Sequence, residues 1–502
     1  MSGRGKKGKK DVGGFGSALV NSKMKNRKVK GEGNHGPTKY VVDDTPITPE
    51  DRLKSMTNDY TLGDYVTDAE LVGKTFQAQR GQIRIVDRVQ LTKEAYNALH
   101  RNDDQIEAEE RLKNRLRIPR RPQWDENTTP DELHSLETAE IIEWRRSLAI
   151  LEEEPNVVLS PFEKNPEVWK ELWHVLERSQ VAVYIVDARD PLAFFCGDFV
   201  RYLNELGLPV LLALNKGDLV PPPIRQEWAS YFEEIQSELQ LKFKFVSTVD
   251  NVEDILTPKE LVMYAKDLAK GPGRDGRITI GFVGFPNVGK SSMLNSAVGR
   301  ICVRSSSTPG KTKHLQTINM EEDGITLCDC PGLVFPLFQQ SRASMLCNGI
   351  LSIDYMTDWL SPIMIVADKI PPEALNILYG TKLTGKKTHP HELLQQLAVK
   401  KGFYVPGNPD ESRSARIILR DYTSGKLIHC ELPPGVRMKE MIDETQNEEE
   451  NTNEPENIDP FNVDSGEKPS NNIVLPDLDN KKKPYKIVNE KRKGVVRFAT
   501  FD

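Results

Sequence analysis

The feature of this sequence that most restricts its fold is the segment Gly284–Ser291, which reads GFPNVGKS and matches G-x-x-x-x-G-K-[ST]. Glycines in such a loop let the backbone turn tightly, so that successive N–H groups converge on phosphate oxygens. The apolar run Ile278–Val283 before the loop is typical of a strand, and Ser292–Val298 after it can form a helix whose N-terminus favours anions. The segment therefore predicts a nucleotide-phosphate loop on an α/β sheet.

Polar groups in this loop are expected to contact different parts of a bound nucleotide. The Lys290 ammonium should reach the β- and γ-phosphates, and the Ser291 hydroxyl should ligate Mg²⁺. Further nucleotide contacts in the loop are predicted for Asn287, Val288, Gly289 and Ser292. Asn287 has two interpretations: it caps the loop, or it helps to bind a monovalent cation such as K⁺ beside the phosphates.

A second motif, NKGD at 215–218, follows the apolar run Val210–Leu214 and matches N-K-x-D. The Asp218 carboxylate can accept hydrogen bonds from N1–H and the exocyclic amine of guanine, a donor pair that adenine lacks. Asn215 is expected to contact the O6 side of the base and to tie loops together. The Lys216 stem is expected to pack along the ring. With a phosphate loop in the same chain, the motif predicts a guanine nucleotide as ligand.

The order of the motifs differs from the usual order in G domains, where the phosphate loop comes first. Ser247-Thr248, after the predicted strand Phe243–Val246, lies where GTPases place a second base-contacting loop, although the pair also suits an ordinary turn. Here both base loops precede the phosphate loop. The termini of compact domains lie at the surface and often close together. The two ends of such a domain can therefore be joined, and new ends opened in another surface loop, without changing the packed sheet. The order predicts an α/β, doubly wound, circularly permuted P-loop G domain.

The switch elements follow the phosphate loop. Asp329-Cys330-Pro331-Gly332 fits D-x-x-G: Asp329 should hold Mg²⁺ through water, and the Gly332 N–H should bind the γ-phosphate. Thr312 is the predicted switch-I ligand of Mg²⁺, with Thr308 as the alternative that spacing does not exclude. The predicted catalytic residues are Lys290, Thr312 and Gly332.

Leu333 follows the D-x-x-G motif, where many GTPases carry a glutamine that positions water. An apolar side chain cannot orient water by hydrogen bonds. We therefore expect GTP hydrolysis to be slow unless the backbone, a cation or a partner positions the water.

Local composition divides the chain further. The net charge is only −6, but residues 1–30 and the last residues are rich in lysine, and residues 440–467 are rich in acids. Such basic segments favour a polyanionic partner. The predicted parts are a basic disordered arm (1–45), an N-terminal extension (46–155), the permuted G domain (156–345), a small, mainly helical C-terminal domain (346–437), an acidic linker (438–480) and a basic tail (481–502).

Other patterns narrow the class of protein. The six cysteines form no C-x-x-C pair, which favours a reducing, intracellular location over a zinc or disulfide framework. We expect no membrane partner, because no apolar run approaches the length of a membrane span.

Two helices are predicted before the base motif. Thr138–Glu154 is predicted to form one helix, and Asn165 is predicted to cap the start of another.

The motif order and the segments GFPNVGKS, TPGKTKH and DCPGL resemble the circularly permuted GTPases of ribosome assembly. Further segments resemble the cytoplasmic large-subunit members of that family: IPRRPQW at 118–124, NTTPDEL at 127–133, EWRR at 143–146, SRSAR at 412–416, DY at 421–422 and GKL at 425–427. The resemblance covers most of residues 115–437.

This resemblance implies a role late in maturation of the large ribosomal subunit. Members of the family bind rRNA at the intersubunit face and use GTP to release the nuclear-export adaptor in the cytoplasm. We therefore expect a cytoplasmic location, with nuclear or nucleolar passage left open. Two alternatives stay open as well: a nucleotide-regulated rRNA-binding module, and a nucleolar or nuclear assembly GTPase.

Overall fold

The computed structural model describes residues 103–249, 252, 254–273, 275–303, 314–338 and 341–436, together with the strand backbone at 496–497. These residues all belong to one compact unit, Pro49–Asp502. Outside the described residues lie the predicted basic arm (1–45), the first part of the extension (46–102), the acidic linker (438–480), the basic tail except 496–497, and the switch-I candidates Thr308 and Thr312.

Helices alternate with strands through the middle of the chain. The helices are α1 (Asp103–Leu112), α2 (Pro130–Glu152), α3 (Pro166–Arg178), α4 (Gly197–Glu205), α5 (Pro222–Leu239), α6 (Pro258–Leu268), α7 (Lys290–Val298), α8 (Arg342–Cys347), α9 (Leu360–Lys369), α10 (Pro372–Tyr379), α11 (Pro390–Lys401) and α12 (Glu411–Thr423). The strands are β1 (Val181–Asp187), β2 (Val210–Asn215), β3 (Leu241–Val246), β4 (Ile278–Gly284), β5 (Gln316–Met320), β6 (Ile325–Asp329), β7 (Tyr404–Val405), β8 (Asn408–Pro409), β9 (Leu427–Ile428) and β10 (Val496–Arg497).

A six-stranded sheet of order β3-β2-β1-β4-β6-β5 forms the centre of the G domain. Helices α6 and α7 pack together against one face, and α3, α4 and α5 pack against the other. This burial on both faces explains the continuous apolar runs of β1 and β2, and it confirms the doubly wound architecture. Strand β5 is antiparallel to β6 because the turn Glu321–Gly324 is too short for a parallel crossover.

Strands from the two halves of the permuted domain lie side by side. β1 pairs in parallel with β4, with Tyr184 opposite Val283, and β1 also pairs with β2. The strand that precedes the base motif and the strand that precedes the phosphate loop thus end at the same edge of the sheet. That edge, at the carboxyl ends of the strands, is where open α/β sheets bind ligands.

The described part of the N-terminal extension is centred on α2. This helix begins at Pro130 rather than at the predicted Thr138, because Thr129 and Glu132 form a capping box. The Trp144 ring packs edge-on against Trp169, with ring centroids 5.0 Å apart, and its indole N–H donates to the Arg117 carbonyl at 2.6 Å. The extension is therefore joined to the core of the G domain.

Residues that follow the G domain are mainly helical, as predicted. Helices α8, α9, α11 and α12 pack together around buried side chains such as Ile363, Leu397 and Ile418. This part of the chain also contains the short strand β9, which pairs in parallel with β10. Within the described residues, none of the helices combines the length and apolar character needed to cross a bilayer.

Candidate guanine-nucleotide site

The phosphate loop is held so closely by its neighbours that two of its positions require glycine. Gly284 and Gly289 have φ angles of +152° and +104°, which side chains rarely tolerate. A Cβ at Gly284 would lie 2.4 Å from the Ile185 carbonyl oxygen. A Cβ at Gly289 would lie 2.3 Å from Nδ2 of Asn215. The loop is therefore fixed between β1 and the base motif.

Lys290, at the first turn of α7, is 6% exposed. Its Nζ donates to the carbonyl oxygens of Gly284 at 2.8 Å and Phe285 at 2.7 Å. Burial lowers the pKa of Lys290 to about 8, although the nearby Asp329 opposes the shift. Phosphate oxygens placed in this loop would favour the charged ammonium.

Ser291 and Asp329 provide oxygen ligands suited to Mg²⁺. The Ser291 hydroxyl donates to Oδ2 of Asp329 at 3.0 Å. Oδ1 of Asp329 is buried and has no hydrogen-bond partner among the described residues. Burial raises the pKa of Asp329 to about 6, while Lys290 and Ser291 act against the shift. Hydroxyl and carboxylate oxygens beside a phosphate loop fit a Mg²⁺ ion that also binds nucleotide phosphates.

No group of three or more His, Cys, Asp or Glu side chains in the described part of the chain could hold a metal by itself. A Mg²⁺ site at Ser291 and Asp329 therefore needs phosphate and water oxygens to complete it. P-loop GTPase domains generally use Mg²⁺ in this way. The predicted third protein ligand, Thr312, lies outside the described residues.

The Asp218 carboxylate, which is predicted to contact guanine, is oriented by a hydroxyl. Asp218 is 4% exposed, and its Oδ1 accepts a hydrogen bond from the Ser247 hydroxyl at 2.8 Å. Oγ of Ser247 in turn accepts from the Val249 N–H at 2.9 Å. Thr248, which was predicted to share the role of Ser247, has an exposed side chain. The second base loop thus acts on Asp218 through Ser247.

The other two polar residues of the base motif also have protein partners. Nδ2 of Asn215 donates to the Val288 carbonyl in the phosphate loop at 2.7 Å, which joins the two loops. Nζ of Lys216 donates to Oδ2 of Asp187 at 2.7 Å. Asp187 was not predicted from the sequence, although the Asp that ends the apolar run of β1 is a signal that could have identified it. The nucleotide-binding roles of all these residues stay predictions.

The D-x-x-G segment leaves β6 directly against the phosphate loop. A Cβ at Gly332 would lie 2.9 Å from Cα of Pro286, and the Leu333 N–H donates to the Gly284 carbonyl at 3.2 Å. The Leu333 side chain is fully buried. It therefore has neither the chemistry nor the position to orient a water molecule.

Asn287 connects the phosphate loop to the C-terminal helical domain. Its Nδ2 donates to the Gly349 carbonyl at 2.7 Å, just after α8, and its backbone has a φ of +60°. This contact supports the loop-capping interpretation. K⁺ binding stays a hypothesis.

Comparisons with known proteins agree with this geometry. The family described as "50S ribosome-binding GTPase" matches residues 279–388. "Large subunit GTPase 1" of Schizosaccharomyces pombe is 35% identical, with 84% of this chain and 74% of that protein aligned. "Large subunit GTPase 1 homolog" is 33% identical in Danio rerio, over 86% of this chain and 84% of the homologue, and 33% identical in Homo sapiens, over 76% of each.

Among solved structures, the GDP-bound "TM YlqF" is 19% identical, covers 52% of this chain and 99% of that one, and has a TM-score of 0.36. The full-length relatives are the stronger finding, because each aligns over about three quarters or more of both chains at 33% identity or higher. Together with the motifs and the permuted sheet, they show that the chain is a GTPase and belongs to the large subunit GTPase 1 family of ribosome-assembly GTPases.

Proposed function

We propose that this GTPase acts in late, cytoplasmic maturation of the large ribosomal subunit, where GTP hydrolysis drives release of the nuclear-export adaptor. The observation that carries the proposal is one sheet edge that holds the guanine-reading Asp218, the phosphate-loop Lys290 and the Mg²⁺ pair Ser291 and Asp329. The relatives' name, "Large subunit GTPase 1", supports the large subunit as the particle on which this site works.

Co-sedimentation with large-subunit precursors tests this proposal. The full-length protein should co-sediment with the particles when loaded with a non-hydrolysable GTP analogue and should dissociate with GDP. Lys290→Met should leave the export adaptor on cytoplasmic particles. Lys266→Met is a matched control, since Nζ of Lys266 also donates to a backbone carbonyl, that of Asp323, but outside the nucleotide site. Failure to co-sediment in any nucleotide state would refute the proposal.

Contacts with rRNA are expected to be electrostatic. The lysine-rich terminal segments would neutralise phosphates and release counterions, so the affinity for particles should fall steeply as salt rises. Deleting the basic arm should reduce the slope of that dependence. An unchanged slope would assign rRNA binding to other parts of the chain.

A second candidate function is a nucleotide-regulated binding module whose hydrolysis is incidental. The buried Leu333 favours it, because this side chain cannot assist the attacking water. Normal subunit maturation with Lys290→Met would support the module and exclude turnover as the function. Imaging the tagged protein would separate the cytoplasmic role from a nucleolar or nuclear one.

Activation by K⁺ is a separate part of the proposal. A monovalent cation at the Asn287 side-chain oxygen would supply positive charge beside the β- and γ-phosphates. GTP turnover should then be faster in KCl than in NaCl at equal ionic strength. Equal rates in the two salts would exclude the cation.

A further inference from the structure

A buried ion-pair network lies at the carboxyl end of β1, beside the base motif. Asp187 is 2% exposed and accepts from Lys216 at 2.7 Å. It also accepts two hydrogen bonds from the Arg189 side chain: Nε donates to Oδ1 at 3.0 Å and Nη2 donates to Oδ2 at 2.7 Å. One carboxylate therefore fixes two cations, and one of these belongs to the guanine-reading motif.

The same arginine reaches the C-terminal end of α12. Nη1 of Arg189 donates to the Tyr422 carbonyl at 3.0 Å, and Nη2 donates to the Thr423 carbonyl at 3.3 Å. Carbonyls in the last turn of a helix have no partner within the helix, and a cation there interacts favourably with the helix dipole. Arg189, which lies in the G domain, thus caps the C-terminal end of α12 in the helical domain.

A second contact joins the end of α12 to the base motif. Gly425 has a φ of +77°, and a Cβ at that position would lie 2.7 Å from Cδ1 of Leu219. Sγ of Cys430 also lies 3.7 Å from the Leu219 carbonyl oxygen. The turn after α12 therefore packs directly on the loop that carries Asp218.

The charges of the network depend on one another. Burial alone would raise the pKa of Asp187, but the positive charges of Arg189 and Lys216 outweigh it and hold this pKa below its usual range. A buried charge that loses its partner is costly, so moving one member shifts the others.

We infer that Asp187 and Arg189 are positioning residues of the guanine site: Asp187 fixes Lys216 against the base, and Arg189 makes this position depend on the docked end of α12. Nucleotide binding and docking of α12 should then strengthen each other by the same factor, as thermodynamic linkage requires. The inference rests on guanine-nucleotide binding and not on the ribosomal role. Its failure would leave co-sedimentation with particles unaffected.

Arg189→Lys in the full-length chain tests the inference. Lysine keeps the charge, but its single ammonium cannot reproduce the planar fork that joins the carboxylate to two carbonyls. The dissociation constant for GDP should rise by about fivefold or more, the lower end of typical coupling between sites. The KM for GTP should rise by a larger factor than kcat falls, because the residue acts on base binding.

The matched control is Arg121→Lys. The Arg121 side chain is as buried as that of Arg189, and it pairs with Glu137 at 2.8 Å and with Glu177 on α3, away from the nucleotide loops. This variant should keep the wild-type GDP affinity. A loss of affinity as large as that of Arg189→Lys would show a general cost of disturbing a buried arginine and would contradict the inference.

Hydrogen exchange gives a readout that a purely structural role would not move. GDP should slow exchange of the wild-type amides at 419–428, and Arg189→Lys should remove this slowing. Asp187→Asn should weaken GDP binding as well. If both variants fail to fold, the wild type alone decides: no GDP-dependent slowing at 419–428 would overturn the inference, as would wild-type GDP affinity in Arg189→Lys.

Discussion

At the scale of single residues, the predicted guanine contact is one buried carboxylate, Asp218, held by the neighbouring Ser247 hydroxyl. Asp218 presents its carboxylate with Oδ1 bound by Ser247, which leaves little freedom of rotation about the side chain. The side chain at position 218 should therefore decide which base is bound, whereas the exposed side chain of Thr248 should have no effect on base preference.

Asp218→Asn should change the preferred nucleotide from GTP to xanthosine triphosphate. Xanthine has a carbonyl where guanine has its exocyclic amine, and an asparagine amide can donate to it. The preference for GTP should fall by at least about tenfold, the effect of one unpaired buried polar group. Competition against a fluorescent guanine nucleotide measures this, with Thr248→Ala as control. An unchanged preference for GTP would contradict the assignment of Asp218.

Asp190 adds a pH-dependent contribution to stability in the cleft between β1 and the C-terminal helices, where Lys369 and Glu431 also lie. Burial raises the pKa of Asp190 to about 6, and the charge of Lys369 opposes the shift. The folded protein thus binds this proton more tightly than the unfolded chain, whose aspartates titrate near about 3.9. The contribution of Asp190 to the free energy of unfolding should therefore fall as pH rises from about 4 to about 6.

Asp190→Asn carries the neutral form at every pH, and its amide oxygen can still accept from the Ala193 N–H. The variant should melt at a higher temperature than the wild type at pH 7.5, and the difference should shrink as pH falls below about 6. Melting curves at several pH values measure this. A lower melting temperature at pH 7.5, or a gain independent of pH, would be inconsistent with the raised pKa.

At the scale of elements, the D-x-x-G segment and the phosphate loop contact each other backbone to backbone. A Cβ at Gly332 would lie 2.9 Å from Cα and 3.0 Å from N of Pro286, so neither side can relieve the clash by rotating a side chain. Either loop must move if a side chain is added.

Gly332→Ala should therefore lower kcat/KM for GTP by at least about tenfold, which is about 1.4 kcal/mol of transition-state stabilisation. GDP affinity should fall less, because the Gly332 N–H is predicted to contact only the γ-phosphate. Gly197→Ala is the control, since no atom lies within 4 Å of a Cβ there. Turnover equal to wild type would show that the segment accommodates the methyl group.

Some strands and helix boundaries could be predicted from the sequence, and others could not. β2 and β4 were predicted because burial on both faces gives them apolar runs. β5 was missed, because it lies at the sheet edge and buries only Ile318. The start of α2 was missed although Thr129 and Glu132 carry the capping-box signal.

Within the site, the sequence predicted the residues that carry consecutive motifs. It did not predict the partners of Arg189, because the carbonyl of Tyr422 lies 233 residues away along the chain. Every residue has a backbone carbonyl, so a hydrogen bond to one leaves no pattern in the sequence. This contact is therefore seen only in the folded structure. For the same reason, the sequence did not predict that the Asn287 side chain would donate a hydrogen bond to the Gly349 carbonyl.

At the scale of the whole molecule, the permutation places the C-terminal helical domain directly after the D-x-x-G segment, which is predicted to bind the γ-phosphate. Phe335 is fully buried and stacks on Phe199, with ring centroids 4.8 Å apart, so the chain between this segment and α8 is anchored in the core. Asn287 joins the phosphate loop to Gly349, and a Cβ there would lie 3.4 Å from Cγ2 of Thr423. Asn287, Gly349 and Thr423 therefore form a short series of contacts through which a shift of the phosphate loop can reach α12.

We predict that the C-terminal helical domain responds to the γ-phosphate, and hydrogen exchange in two nucleotide states measures this response. Exchange of the amides in 341–432 should be compared with GDP and with a non-hydrolysable GTP analogue bound. The amides of α8 and of the end of α12 should differ between the two states by about fivefold or more. Identical exchange throughout 341–432, with a clear difference at Gly332 and Leu333, would contradict the claim.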